Sequence, residues 1–251
     1  MVKPEDPVQA ALRRAIERAE RARGTLHQVP PRVQFELRRK ALHVTTAVVA
    51  VPLLLFVPLV PLLVLSGLGI VFITMTWAIE RRRLSRRFAG PLHDELAHVL
   101  ASTRRPHEDY PWSPVLYTVS LMVIALAHAF LGLSWALAFA AYAILGIGDA
   151  ASALVGVAYG RTRLPWNPRK SVEGTAAGLA AGFLAGSFLG ALPYAVAGLP
   201  VPPLFHGVVL VGATAGALAE TVPRVEDNLV VPLAAAGAMF LLSGAVGLAL
   251  P

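Results

Sequence analysis

Seven apolar runs, most of them about twenty residues long, dominate this chain, at roughly 41–57, 59–79, 114–132, 134–158, 171–192, 204–222 and 228–249. A helix of that length crosses the ~30 Å hydrocarbon core of a bilayer, where no water satisfies an open backbone. The pattern predicts an all-α fold, a polytopic transmembrane helical bundle of about seven spans. The first run is short and is parted from the second only by Pro58 and Pro61, so one kinked span is the alternative there. Composition points the same way. Of 251 residues, 56% are hydrophobic and 15% charged, more apolar surface than a soluble domain of this size needs. Cysteine is absent, which excludes disulfides and thiolate-held metals. The first 40 residues are polar, and no cleavable signal peptide is expected in them.

The 22 Lys and Arg are placed asymmetrically. Ten precede the first run and seven lie within 80–112. Arg161, Arg163, Arg169 and Lys170 separate the fourth and fifth runs, and Arg224 separates the sixth and seventh. With seven spans, all of these segments fall on one side of the membrane. The positive-inside rule makes that side cytoplasmic, with the N-terminus in and the C-terminus out. The formal charge of +7 is therefore a topology signal, and no nucleic-acid partner is expected. Nineteen Arg against three Lys hint at a GC-rich prokaryotic source, hence a prokaryotic cytoplasmic membrane.

Two regions follow. Residues 1–35 form a cytoplasmic surface segment whose stretch 8–23 carries a weak helical apolar stripe and stops at Gly24. Residues 36–251 form the membrane domain, with 80–112 as a basic cytoplasmic loop opening on a juxtamembrane anchor to anionic lipid at 80–87.

Small residues mark the helix contacts. Gly174, Gly178, Gly182, Gly186 and Gly190 recur every four residues, a ridge along which another helix approaches closely. The ridge serves the bundle or a homodimer equally well. Gly148, Ser152, Gly156 and Gly160 form a second line, and Gly212, Gly216 and Glu220 a third. Packing accounts for most of these glycines, while Gly156 and Gly160, nearest the basic loop, also leave room for a nucleotide.

Polar residues gather at the basic ends of the runs. Arg39, Lys40 and His43 open the first, and Asp149 lies about three turns before the basic end of the fourth. Lys170, Ser171, Glu173, Gly174 and Thr175 open the fifth, Glu220 closes the sixth, and Asp227 and Asn228 open the seventh. An ionisable residue inside an apolar run is costly and marks a functional site by default. Asp149, set among small residues, reads as a metal or substrate contact rather than a structural ion pair. Lys170 with the amides that follow Ser171 reads as a phosphate holder, against the plain alternative of a capped helix start. Asp227 and Asn228 either cap the seventh run or, as hard oxygen donors, hold Mg²⁺. His43 is more simply a hydrogen-bonded helix residue. His93, His98 and His107 lack zinc spacing, and His128 reads as a packing contact. No phosphate-binding glycine loop and no nucleophile elbow occurs.

These blocks together resemble the integral-membrane, CTP-dependent lipid kinases, the group of dolichol kinase, phytol kinase and yeast-type diacylglycerol kinase. The likeness is carried by Arg38-Arg39-Lys40 with His43, and by Gly148-Asp149-Ala150 with Ala153, Gly156 and Gly160. It continues in Lys170-Ser171 with Glu173-Gly174-Thr175, then Glu220 and Asp227-Asn228-Leu229 with Pro232. It runs from about residue 36 to the C-terminus, apart from the 80–112 loop. The resemblance implies transfer of the γ-phosphoryl of CTP to a long-chain isoprenoid alcohol or diacylglycerol, with Mg²⁺ as cofactor. Phosphoryl transfer needs cations around the phosphates, a carboxylate-held metal and a positioned hydroxyl. Lys170, Arg39 and Lys40 suit the first task, and Asp149 with Glu220, Asp227 or Asn228 the second. Asp149 or Glu173 accepts the hydroxyl proton. A CTP:phosphatidate cytidylyltransferase and a membrane transporter are the alternatives, the latter disfavoured because its charges would sit near the midplane.

Overall fold

The computed structural model describes residues 37–41, 44–45, 48–49, 57–81, 91–103 and 110–248. His43, His107, the 8–23 segment, most of the 41–57 run and residues 82–87 of the basic anchor lie outside them. The described chain is an all-α bundle with six helices long and apolar enough to cross a membrane, which makes this an integral membrane protein.

Helix α1 spans Leu59–Glu80 and α2 Pro91–Thr103. Helix α3 spans Trp112–Leu131, α4 Trp135–Tyr159, α5 Val172–Gly190, α6 Pro203–Glu220 and α7 Asp227–Ala245. Six of the seven expected runs appear as helices that begin within two residues of their expected starts. The remaining run, 41–57, falls mostly outside the described residues.

Helix α2 lies within the segment 80–112, which the sequence reading treats as a loop. Pro91 at its first position, Asp94 in its first turn and Leu96, Val99 and Leu100 at helical spacing are ordinary signals of a short helix. It packs on α1.

Helix α4 is the axis of the bundle. Of its most hydropathic stretch 72% is buried, against 17% for α1. Helices α3, α5, α6 and α7 pack around it, and α1 lies outside on α3. Tyr142, Phe139, Leu137 and Leu145 of α4 meet Val208 and Val209 of α6 and Met239 of α7 in the core. Lipid tails are as apolar as these side chains, so close packing rather than escape from water holds the spans together.

Glycine allows that packing. The buried residues of α5 are its five ridge glycines, all turned inward. A Cβ on Gly178 would lie 2.8 Å from the Ser152 Cβ, and one on Gly190 2.9 Å from the Ala136 carbonyl oxygen. The ridge is consumed inside the bundle and is not available as a dimer face.

Between α4 and α5 the chain makes a small antiparallel hairpin, β1 Arg163–Leu164 and β2 Asn167–Ser171. Lys170 therefore stands on a strand rather than in the first turn of α5. Trp166 Nε1–H donates to Thr221 Oγ1 at 3.2 Å, and Asn167 Nδ2–H donates to the Thr221 carbonyl at 3.1 Å. These bonds pin the hairpin to the end of α6.

Candidate functional site

Helix α4 is not uniform. Residues Ile144–Gly148 form a π-helical segment immediately before Asp149. A π segment adds a residue to the turn and re-aims everything after it, and such segments recur at functional sites. Gly146 and Gly148 lie within it, and a Cβ on Gly148 would press on the Gly178 carbonyl at 3.0 Å. Close approach of α5 and the wide turn together present Asp149, 2% exposed, to the interior of the bundle.

Four other segments bring charge to it. Lys40, 2% exposed, forms an ion pair with Asp149 through Oδ2. Lys170 Nζ donates to Glu220 Oε1 at 2.5 Å and to Asp227 Oδ2 at 3.4 Å. Ser152, one turn after Asp149, donates its hydroxyl to the same Glu220 oxygen at 2.8 Å. One carboxylate oxygen from each of Asp149, Glu220 and Asp227 lies within 4.8 Å of the others. Three acids and two lysines from distant parts of the chain thus form one cluster at the hairpin, with Asp149, Glu220 and Lys40 buried, Asp227 and Lys170 partly exposed, and Arg39 buried beside Lys40.

The electrostatics of the two lysines differ. Burial alone depresses the Lys170 ammonium, but attraction from Asp227, Glu220 and Asp149 outweighs it and holds its pKa above the ordinary lysine value. Burial dominates at Lys40, and the neighbouring charges of Arg39 and Lys170 add to it, so its pKa is lowered despite the opposing attraction of Asp149.

The donor chemistry suits a hard divalent cation. Octahedral oxygen ligands at about 2.0–2.1 Å stand about 3 Å apart when adjacent and about 4 Å when opposite. The three carboxylate oxygens, within 4.8 Å of one another, are near that spacing. Asn228, next after Asp227, is 3% exposed. Its Nδ2 donates to the Ser113 carbonyl at 2.9 Å and to Ser113 Oγ at 2.6 Å. Its Oδ1 is buried without a hydrogen-bond partner, and a buried carbonyl oxygen left unsatisfied calls for an explanation. Neither Asp227 nor Asn228 caps α7; the N-cap is Glu226, which makes no side-chain capping bond.

Other expected site residues are placed differently. Ser171 is the N-cap of α5, and its Oγ accepts from the Gly174 amide at 3.1 Å. The Val172 amide is taken by the Thr162 carbonyl at 2.9 Å. Two amides that a phosphate would use at this helix start are therefore satisfied by the chain itself. Thr175 Oγ1 donates back to the Ser171 carbonyl at 3.0 Å. A Cβ on Gly156 or Gly160 would lie 3.3 or 2.6 Å from Ser171 Oγ, so those faces hold α5 rather than open space. Glu173 is not part of the acid cluster. Its carboxylate accepts from the Thr162 amide at 3.0 and 3.2 Å at the surface, closing the loop after α4. His128 Nδ1 meets the Leu133 carbonyl at 2.7 Å and its ring stacks on Trp135, a local packing contact.

Two residues that hydrogen-bond to Glu220 and Asn228 are not singled out by sequence reasoning. Ser152 stands in the small-residue line and reads there as packing, although its place one turn from Asp149 on the same face was the available signal. Ser113, far away in the chain, carries no signal at all. No protein-family model, curated protein or solved structure matches this chain.

Proposed function

We propose that this protein is a membrane lipid kinase that transfers the γ-phosphoryl group of CTP to the hydroxyl of a long-chain isoprenoid alcohol or diacylglycerol. The observation that carries the reading is the cluster in which Asp149, Glu220 and Asp227 converge with Lys40 and Lys170. Phosphoryl transfer asks a protein mainly for positioned cations and carboxylates, and little covalent chemistry. The resemblance of the Arg39, Asp149, Lys170 and Asp227 blocks to CTP-dependent lipid kinases supplies the nucleotide and the acceptor.

In this reading Asp149, Glu220 and Asp227, with Asn228, would hold Mg²⁺, which would supply positive charge against the phosphates. Lys170, Lys40 and Arg39 bind phosphate oxygens. The lipid hydroxyl attacks the γ-phosphorus, the bond to the β–γ bridging oxygen breaks, and CDP leaves with that oxygen. Asp149, buried beside the cations, takes the hydroxyl proton. The basic residues at this end support a site on the cytoplasmic side, with CTP entering from water and the lipid laterally, and the excess of Arg over Lys supports a prokaryotic membrane.

The test is transfer of label from γ-labelled CTP with Mg²⁺ to a panel of prenols and diacylglycerol, for wild type and Asp149→Asn. Labelled lipid phosphate that disappears in the variant supports the kinase. CMP joined to added phosphatidate, with label in pyrophosphate, replaces it by a cytidylyltransferase.

A further inference from the structure

We propose that Lys170 is a resident counter-ion of the carboxylate cluster, displaced by an incoming divalent cation and thereby delivered to the phosphate of the second ligand. The inference rests on the kinase reading for the divalent cation and for the phosphate ligand.

The lone pairs of Glu220 carry the argument. Each carboxylate oxygen offers about two acceptor sites. Oε1 accepts from Lys170 Nζ at 2.5 Å and from Ser152 Oγ at 2.8 Å, so both are in use. Oε2 lies on the other side, toward Gly178 of α5. A cation bound to Oε1 would need a distance of about 2.1 Å, in the space that the ammonium occupies. Two positive groups do not share that space, so one leaves. Ser152 and Glu220 are buried on spans of the bundle, 4% exposed each. Lys170 is the movable member, with a side chain 25% exposed and carried on a two-stranded hairpin outside the spans. Asp227, its second partner, is released by the same movement.

Asn228, next after Asp227 at the start of α7, carries a buried polar group that is only half satisfied. Its Oδ1 is buried without a hydrogen-bond partner, while its amide end is tied to Ser113. With Lys170 in place the acids are largely neutralised and the site is closed to phosphate. With a cation in place, the freed ammonium is the nearest donor for an anion. Cation and phosphate then bind in order, and each favours the other.

The chain has three lysines, Lys3, Lys40 and Lys170, so amine labelling read by mass spectrometry is site-resolved. The experiment uses the full chain in lipid nanodiscs, with Mn²⁺ binding followed in parallel by electron paramagnetic resonance, and Lys3 as internal reference. Addition of Mg²⁺ alone is expected to raise the Lys170 labelling rate at least severalfold, and subsequent CTP to lower it again. Lys170→Met is expected to bind Mn²⁺ more tightly without nucleotide and CTP more weakly, effects of opposite sign. A rise with Mg²⁺ that CTP does not reverse supports the displacement and overturns the CTP reading. Mn²⁺ bound in an Asp227-dependent way with Lys170 labelling unchanged overturns the displacement and leaves the kinase reading standing. No Mn²⁺ binding at all overturns the displacement and the metal site together.

Discussion

Asp149 and Lys40 neutralise each other where neither is solvated, and removing one leaves the other buried without its nearest opposite charge. Such a loss costs about 3–5 kcal/mol, while replacing both partners costs far less. Lys40→Met and Asp149→Asn are each expected to lower the thermal midpoint, and the double variant to recover much of the loss. A double-mutant cycle in detergent measures the coupling. Turnover responds differently: Asp149→Asn is expected to lower kcat by on the order of 10³-fold, alone or with Lys40→Met. Glu173→Gln, which removes only a contact to the Thr162 amide, is expected to stay within about tenfold of wild type. Steady-state label transfer by the three variants separates these roles. Lys170 predicts a pH dependence. Its folded pKa lies above the ordinary 10.5, so its contribution to stability is complete below the unfolded value and is lost as pH rises through the folded one. The part of the stability gap between wild type and Lys170→Met that the lysine charge supplies should be lost only above about pH 10.5.

Helices α4 and α5 meet backbone to backbone because glycine lines both sides of the contact. Filling that contact should be costly in proportion to what the new atoms strike. Gly178→Val places a Cβ against the Ser152 Cβ and 3.2 Å from the Gly148 carbonyl oxygen, with backbone on one side and no room to yield. It is expected to destabilise by about 1–3 kcal/mol or more and to shift Ser152 away from Glu220. Gly237→Ala in α7 meets nothing within 4 Å and is expected to be neutral or slightly stabilising. Thermal unfolding of the two variants in the same lipid checks the contrast. The ridge glycines of α5 were expected to face another helix, and they do. Gly156 and Gly160 look no different in the sequence, yet Ser171 closes the space above them. A glycine states that something comes near, and only its neighbour decides whether that is a helix or a ligand.

Across the whole molecule, large apolar residues turn outward over the spans: Leu65 and Leu68 of α1, Phe130 of α3, Leu184 and Phe188 of α5, Leu241 of α7. Exposure on this scale fits a lipid surface and not water. The hairpin and the α6–α7 turn share one end of the bundle because Trp166 and Asn167 reach Thr221. The turn after α5 lies one span away, at the opposite end. The absence of native cysteine makes this directly testable. Arg163→Cys and Val225→Cys should be labelled by an impermeant maleimide from the same side of sealed vesicles, and Leu199→Cys from the other. Labelling of all three from one side would overturn the span order.

Length and apolarity alone determined six spans and their starts, because a helix in lipid has to be about twenty residues long wherever it packs. Local chemistry also made Ser171 the N-cap, since capping depends on residues three apart in the chain. The site was legible as a set of polar residues at run ends, of which Asp149, Lys40, Lys170, Glu220 and Asp227 do converge. Their partnerships were not legible. Lys40 and Asp149 are 109 positions apart, and no local pattern records which acid a lysine meets. Glu173 turned to a loop amide, Ser113 and Ser152 entered as supports, and the π turn before Asp149 set its direction. Helix packing decided each of these, because close contact between glycine-lined helices leaves one geometry in which the buried charges are paired.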